Sequence, residues 1–451
     1  MSGESQPKAD LDLLTDVIAR ALKAGADTAD AVMFTGQSRS VAYRLGALEG
    51  VNGSDAQDLG LRVFVGKKQA IASSSDFSKD AVAALIERAV AMAKAAPDDP
   101  YAGLAEPGSL ASAPFADPDI CDPVAPSEEA LVEIARAAED AARAVDGVTN
   151  SEGAGAGHSA ATVNLATSTG FAGTYRSSSV SASATVLAGA GDAMERDYAM
   201  SSARYLEDME QAPAIGARAG WRAVARLGAR KLASRQVPVL YDPRVGKSLL
   251  GHLAGAVNGQ AIARGTSFLK DSMGERIFAE GVSVVDDPVR KRGLRSKPFD
   301  GEGLAGASLE IVKGGYLKSW VLDCAVARQL GLASNGRASR GTGGPPSPAT
   351  TNLYMTPGAV SRDALIGAVD AGFLVTELIG MGVNPVTGDY SRGAAGFWIE
   401  RGEIAYPVSE VTIAGNLRDM FLNLIPASDL EFRYGTNAPT VRIDGMMVAG
   451  S

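Results

Sequence analysis

Histidine and cysteine are scarce in this chain of 451 residues, which contains only His158, His252, Cys121 and Cys324. Neither histidine belongs to an HExxH or HExxxH sequence, in which two histidines on one helix face bind zinc and a glutamate between them acts as a base. The sequence therefore lacks the usual zinc site of a metallopeptidase. The two cysteines lie far apart, and we expect two reduced thiols, not a disulfide.

Long apolar runs are also missing. No window contains the roughly 20 consecutive apolar residues that a membrane-spanning helix needs, and the opening MSGESQPKADLDLL lacks the apolar core of a signal peptide. We therefore expect a cytoplasmic protein with no membrane partner. The GxSxG elbow of serine hydrolases and the phosphate-binding GxxxxGK[ST] loop are absent too, which argues against both of those classes.

The composition is that of a globular, acidic protein. Hydrophobic residues make up 46% of the chain and charged residues 21%, which is typical of folded domains. The net charge of −9 gives no general attraction to nucleic acid. The basic run at 290–292 follows Asp286 and Asp287, so we interpret it as a solvated loop and expect no nucleic-acid partner.

The patterning predicts an α+β chain, with an α/β N-terminal region followed by a β-rich C-terminal domain. We divide it into an N-terminal α/β domain (1–110), a middle α/β domain with long antiparallel strands (111–235) and a β-rich domain (236–451). Helical spacing predicts helices at about 10–24, after Ser78, after Ser127, at 211–231 and at 244–258. Asp10, Ser78 and Ser127 are the expected N-caps of the first three. The proline-rich stretch 97–126 is predicted to be a linker or a draped loop.

Several β-strand pairs can be read directly from their turns. A long antiparallel pair is expected around Thr169–Gly170, and tight hairpins are expected at Gly314–Gly315 and Arg401–Gly402. The many glycine-rich connections in 236–451 favour a distorted barrel or a sandwich for this domain.

The helix predicted at 244–258 carries His252 in the sequence KSLLGHLAGAVNGQ. Its apolar positions, which include Leu249, Leu253 and Val257, form one continuous stripe, so the helix is suited to packing. His252 lies at the margin of that stripe. We interpret it as a packed structural histidine in preference to a metal ligand.

Two long stretches resemble a known family. GVSVVDDPVRKRGLRSKPFDGEG at 281–303 and YPVSEVTIAGNLRDMFL at 406–422 are similar to the C-terminal domain of the TldD/TldE family, in which TldE is also called PmbA. Further similarity lies at 264–277 and 351–358. TldD members are zinc peptidases, whereas the missing zinc motif and the run TIAGNLRDMFLN place this chain on the TldE/PmbA side.

The resemblance implies a site and a partner. The zinc motif of TldD-like peptidases lies on a helix in the region of His252, where the base would fall on Leu253 and the second histidine on Val257. Neither residue can do this work, so the resemblance implies no catalytic residue, no metal ligand and no cofactor in this chain. Zinc is expected in a TldD-like partner, and unfolded or extended polypeptides are expected as substrates.

The segment ATTNLYMTPG at 349–358 matches a part of the family that borders the substrate cleft. The resemblance therefore suggests Thr351, Asn352 and Tyr354 as peptide-binding residues, because the backbone of a strand can pair with an extended peptide of any sequence. Without the resemblance, an ordinary strand flanked by turns is the better interpretation.

The expected function is that of a non-catalytic subunit in a cytosolic metallopeptidase complex. Two alternatives stay open. The chain could be a peptidase on its own through an unrecognised site, with activity lost on chelation or on changing His252 or Cys324. It could also be a peptide-binding homodimer without hydrolytic activity.

Overall fold

A computed structural model describes residues 5–450 of the chain. Its helices are α1 Ser5–Lys23, α2 Lys79–Ala95, α3 Glu128–Arg143, α4 Ala212–Ala225, α5 Pro243–Ala256, α6 Gly259–Ala263, α7 Cys324–Leu330, α8 Arg362–Gly367 and α9 Leu417–Leu422. No helix in this described part of the chain is long and apolar enough to cross a membrane.

The strands of the N-terminal half are β1 Thr28–Arg44, β2 Ala47–Val65, β3 Lys68–Ser74, β4 Val148–Thr167, β5 Ala172–Ala188 and β6 Glu195–Ala203. Those of the C-terminal half are β7 Arg235–Tyr241, β8 Val284–Asp287, β9 Leu309–Lys313, β10 Tyr316–Leu317, β11 Ala338–Ser339, β12 Ser347–Pro348, β13 Asn352–Met355, β14 Ala371–Ile379, β15 Asp389–Glu400, β16 Glu403–Asn416, β17 Leu424–Pro426, β18 Thr436–Asn437 and β19 Val441–Ala449.

The first six strands form one antiparallel sheet in the order β3-β2-β1-β4-β5-β6. The pairing of β1 with β4 runs from Asp30 opposite Thr167 to Tyr43 opposite Ala154. The sheet therefore continues across the predicted boundary at 110/111. The loop that contains this boundary is draped over the C-terminal domain, where Ala111 N–H donates to the Gly303 carbonyl at 2.8 Å. The long antiparallel pair predicted around Thr169–Gly170 is confirmed by β4 and β5.

The two faces of this sheet contact different layers. Side chains alternate along β1, so Ala31 and Met33 pack against helices α1 and α2 in one apolar cluster. Val32 and Phe34 point the other way and pack with Phe299 of the C-terminal half. The sheet is therefore a middle layer between helices and the C-terminal domain.

The β-rich C-terminal domain contains a closed barrel. Strands β16, β15, β14, β7 and β19 follow one another, and a further pairing of β16 with β19 closes the ring. A second sheet has the order β10-β9-β8-β13-β18. The largest apolar core lies between these sheets and α5. The predicted α+β class is confirmed, and of the two predicted forms the domain contains the barrel.

Both predicted tight hairpins are present. Gly314 and Gly315 adopt φ of 57° and 94°, and Arg401 and Gly402 adopt φ of 53° and 81°, as turns with two left-handed central residues require. Ser78 and Ser127 cap α2 and α3 as expected, since each hydroxyl accepts a backbone N–H.

Two helix predictions were wrong in their bounds. The first helix begins at Ser5, so Asp10 is inside it and does not cap it. Asp10 is buried, and the Asn164 side chain donates to its carboxylate at 3.4 Å. The helix predicted at 211–231 ends at Ala225, and Gly228 follows with φ of 71°, a left-handed conformation that no helix continues through.

Candidate functional site

Helix α5 packs with its apolar side in the core of the C-terminal domain. Asp242 caps it by accepting the Arg244 N–H at 3.0 Å, and Pro243 occupies the first turn, where a missing N–H costs nothing. Its apolar side lies in the main core, where Leu249 and Leu253 are completely buried and Val257 follows at the C-terminal end.

His252 packs against an aromatic ring. Its imidazole lies edge-on to Tyr390, with ring centroids 5.9 Å apart and planes at 81°. The Nε2 atom is buried and has no hydrogen-bond partner among the described residues. Burial, together with the positive charge of Arg392, lowers the pKa of His252, so the ring is neutral at pH 7.

The donor set of α5 does not fit zinc. Leu253 and Val257, at the positions of the base and the second histidine, are both completely buried in the apolar core. Within residues 5–450, no group of three or more His, Cys, Asp or Glu residues is placed to hold a metal ion. His158 does not join His252, since it lies on β4, between Arg39 of β1 and Val180 of β5.

Cys324 is placed as a buried structural thiol. It opens α7, and its backbone N–H donates to Glu302 Oε2 at 2.8 Å. Burial, followed by the nearby Glu302 carboxyl, raises the pKa of the thiol well above its ordinary value. A thiol that resists ionisation is a poor nucleophile and a poor metal ligand.

Of the predicted peptide-binding residues, Thr351 and Asn352 have their side chains bonded inside the domain. The Thr351 N–H and hydroxyl donate to the Asp286 carboxylate at 2.6 and 2.9 Å. The Asn352 amide donates to the Asp287 carbonyl at 2.7 Å and to the Ser296 hydroxyl at 2.8 Å. These bonds hold the strand in its sheet.

Tyr354 is only partly buried, and its ring lies 5.1 Å from that of Phe432. Its strand, however, has two neighbours. All four residues of β13 pair with β8, and Leu353 and Tyr354 also pair with β18. The expectation that this backbone is free to pair with a peptide was therefore wrong, because both of its sides are already paired. A peptide-binding role for the three side chains stays a prediction.

A cavity of about 450 Å³ lies between the first sheet and the C-terminal domain. Thr350 and Thr351 form part of its border, so the segment at 349–358 does reach a cleft. The apolar wall of the cavity comes from the sheet and includes Phe34 and Tyr175. The charged residues on the lining are Arg204, Arg295, Lys297, Asp300 and Arg340.

A buried ion cluster lies at the same interface. Arg62 Nε is 3.2 and 3.1 Å from the two oxygens of Asp30, and Arg340 Nη1 is 2.8 Å from Asp30 Oδ1. The three side chains are at most 4% exposed. Burial alone would raise the pKa of Asp30, but the guanidinium groups of Arg340 and Arg62 hold it below its ordinary value.

Glu302 is the second unusual acid of the interface. Burial raises its pKa to about 7, although the positive charge of Arg62 opposes the shift. Glu302 lies in the sequence FDGEG, but no role was predicted for it from the sequence. The available signal was a pair of acids, Asp300 and Glu302, separated by Gly301 in a stretch that resembles the family. Asp30, Arg62 and Arg340 lie far apart in sequence and carried no such signal.

Models of the PmbA/TldA metallopeptidase family match three parts of the chain: domain 1 at residues 29–93, the central domain at 121–227 and the C-terminal domain at 234–450. The chain is 36% identical to metalloprotease PmbA of Escherichia coli O157:H7, over 99% of this chain and 98% of that protein. It is 35% identical to a metalloprotease PmbA homolog of Haemophilus influenzae, over 96% and 94% of the two chains.

The fold is shared with solved structures. TldE from Thermococcus kodakarensis superimposes with a TM-score of 0.87 at 22% identity, covering 97% of this chain and all of that chain. At this level of identity the likeness concerns the fold alone.

Proposed function

We propose that this chain, which belongs to the PmbA/TldD metallopeptidase family, is a substrate-holding subunit of a cytosolic two-component peptidase. The TldD-like partner supplies the zinc and the catalytic residues. This chain contributes a wall of the substrate chamber and contacts to unfolded or extended polypeptides. It carries no catalytic zinc of its own.

The observation that carries this proposal is the environment of α5. A zinc peptidase needs a second ligand and a base on the face that holds the first histidine. Here the corresponding residues, Leu253 and Val257, are completely buried in the apolar core, and His252 packs against Tyr390. Converting this helix into a metal site would place charged groups in the core of the domain.

The alternative of a peptidase acting alone has weaker support. Its candidate residues were His252 and Cys324, and they lie in separate surroundings, one against Tyr390 and the other bonded to Glu302. The alternative of a peptide-binding homodimer shares the substrate contacts of our proposal and differs only in the absence of a hydrolytic partner.

The test begins with the zinc content of the full chain, purified after expression without a partner. We expect much less than one zinc per chain and no peptide hydrolysis. Mixing with a TldD-like chain that carries an HExxxH motif is expected to give a complex that degrades unfolded polypeptide, and the same partner alone is expected to be much less active.

Stoichiometric zinc in the isolated chain, or chelator-sensitive hydrolysis by it, would overturn the non-catalytic assignment. If no complex forms with any TldD-like chain of the same organism while peptides still bind, the homodimer alternative is favoured. The catalytic partner with its zinc ligands changed to alanine is the matched control for hydrolysis.

A further inference from the structure

The cavity between the sheet and the C-terminal domain has two chemically different sides. Strands β1 and β4 contribute the apolar residues Val32, Phe34, Val163 and Leu165. The opposite side carries Lys297 and Arg340. Its volume of about 450 Å³ lies in the range of sites for small molecules or for one or two residues of a peptide.

Arg340 has hydrogen-bonding capacity that the described residues do not use. Its side chain is 1% exposed, and Nη1 lies at ion-pair distance from Asp30. Its Nε and Nη2 groups have no hydrogen-bond partner in the described part of the chain. Both oxygens of Asp30 also accept from Arg62, so one carboxylate serves two guanidinium groups. Because its nitrogen atoms are buried, Arg340 contributes its positive charge to the cavity and not a donor at the cavity surface.

Lys297 supplies a cationic donor on the lining of the cavity. Its ammonium group donates to the Ala338 carbonyl at 2.8 Å and has two further protons to donate. The acid on the lining, Asp300, instead accepts backbone N–H groups of Glu302, Leu304 and Ala338, each at 2.9 Å. These bonds direct its carboxylate toward the backbone.

The other cationic residues of the lining are less suited to bind an anion. The guanidinium group of Arg204 donates to the carbonyl groups of Gly293, Ser178 and Leu294. Arg295 is exposed at the surface. Glu302, behind the cavity, accepts the Cys324 N–H. Lys297 is therefore the cation with donors left to bind a ligand, and Arg340 adds a buried positive charge at the same side of the cavity.

We propose that this cavity binds the C-terminal residue of a polypeptide. The α-carboxylate pairs with Lys297 and is also attracted by the buried charge of Arg340, and an apolar side chain lies against the wall formed by β1 and β4. An inorganic anion would leave that wall without a contact, and an uncharged segment from within a polypeptide would leave the cations unpaired. The identity of the ligand as a peptide rests on the proposed function, whereas the pairing of a carboxylate with an apolar group rests on the cavity.

The test is calorimetric titration of the full chain with N-acetyl-Ala-Phe and with the same peptide as its C-terminal amide. The free acid is expected to bind about tenfold more tightly or better, because only the acid carries the charge that pairs with Lys297 and is attracted by Arg340. Inorganic phosphate at millimolar concentration is expected not to displace it.

Lys297→Gln is expected to weaken binding of the acid about fivefold or more, since one charged donor is removed, and to leave binding of the amide unchanged. Lys313→Gln is the matched control, because Lys313 is an exposed lysine of the same domain that pairs with Glu310. Arg340→Gln is expected to act in the same direction as Lys297→Gln. Thermal unfolding shows whether Arg340→Gln is folded. If it is not, the binding measurement on Lys297→Gln alone tests the proposal.

Equal affinity for acid and amide, or no measurable binding of either peptide, overturns the proposal. Displacement by phosphate with the same sensitivity to Lys297→Gln shows a general anion site and overturns it too. These measurements use the chain alone, so they are independent of cleavage by the reconstituted complex. Active cleavage with no discrimination between acid and amide defeats this inference and leaves the proposed function standing.

Discussion

Helix α5 and the cavity between the first sheet and the C-terminal domain differ in the polarity of their buried residues. The family resemblance pointed to this helix as the place of a zinc motif, yet Leu253 and Val257 on its core side are apolar and completely buried. The cavity had no recognisable motif, yet it is bordered by buried charges and an unpaired guanidinium edge. Buried charged side chains therefore lie at the layer interface, whereas the positions of the helix that the zinc motif would use are apolar.

The largest expected loss of stability comes from introducing a zinc motif into α5. The double variant Leu253→Glu, Val257→His is expected to lose about 5 kcal/mol or more of unfolding free energy, because a charge and an imidazole replace core side chains. Chemical denaturation measures the loss, with Leu253→Met as the conservative control. A stable double variant that binds one zinc per chain would remove the contrast between helix and cavity.

The next effect concerns the shared carboxylate of the ion cluster. Asp30→Asn leaves the guanidinium groups of Arg62 and Arg340 buried without a counter-charge, and we expect a loss of about 4 kcal/mol in unfolding free energy. Asp55→Asn is the control, since its pair with Arg39 is solvent-exposed and is expected to contribute less than about 1 kcal/mol. Equal, small losses for the two variants would show that burial at the interface is unimportant.

Glu302 makes the unfolding free energy depend on pH. Its pKa rises from 4.5 to about 7 on folding, so the folded state binds its proton more tightly than the unfolded state. Its stabilising contribution is complete below pH 4.5 and is lost as pH rises through about 7. Relative to Glu302→Gln, the native chain is expected to lose roughly 3 kcal/mol at most between pH 4.5 and pH 8.

Denaturation curves of both proteins across this pH range measure that difference, in which the contributions of all other acids cancel. Parallel pH profiles for the native chain and Glu302→Gln would contradict a neutral, buried Glu302.

The smallest effect is expected at His252. His252→Ala removes a neutral ring packed against Tyr390 and should lower the unfolding free energy by about 1–2 kcal/mol, with little change in cleavage by a reconstituted complex. His158→Ala serves as the comparison, because His158 lies on β4 of the N-terminal sheet and not on α5. Complete loss of cleavage with unchanged folding and unchanged partner binding would return a catalytic role to α5.

Local features of the fold were predictable from the sequence. The hairpins at Gly314–Gly315 and Arg401–Gly402 were identifiable because left-handed turn positions demand particular residues. The serine caps of α2 and α3 were predicted for a similar reason. The start of α1 was missed, because Asp10 resembles a cap in sequence but is bonded to Asn164 on a neighbouring sheet.

The candidate site was predicted only in outline. The segment at 349–358 does border a cleft, but its expected open strand edge is paired with β8 and β18. Edge and central strands have similar residue patterns, and only the neighbours that they acquire distinguish them.

The sequence by itself determined the family, the first five helices, several strand pairs and the absence of an HExxxH motif, because each depends on residues close together along the chain. The tertiary structure alone decided that Asp30, Arg62 and Arg340 share one buried cluster, and that a cavity with an apolar wall lies between the sheet and the C-terminal domain. The pKa and the binding capacity of these groups depend on burial and on the charges around them. Those conditions arise only when surfaces distant in sequence come into contact.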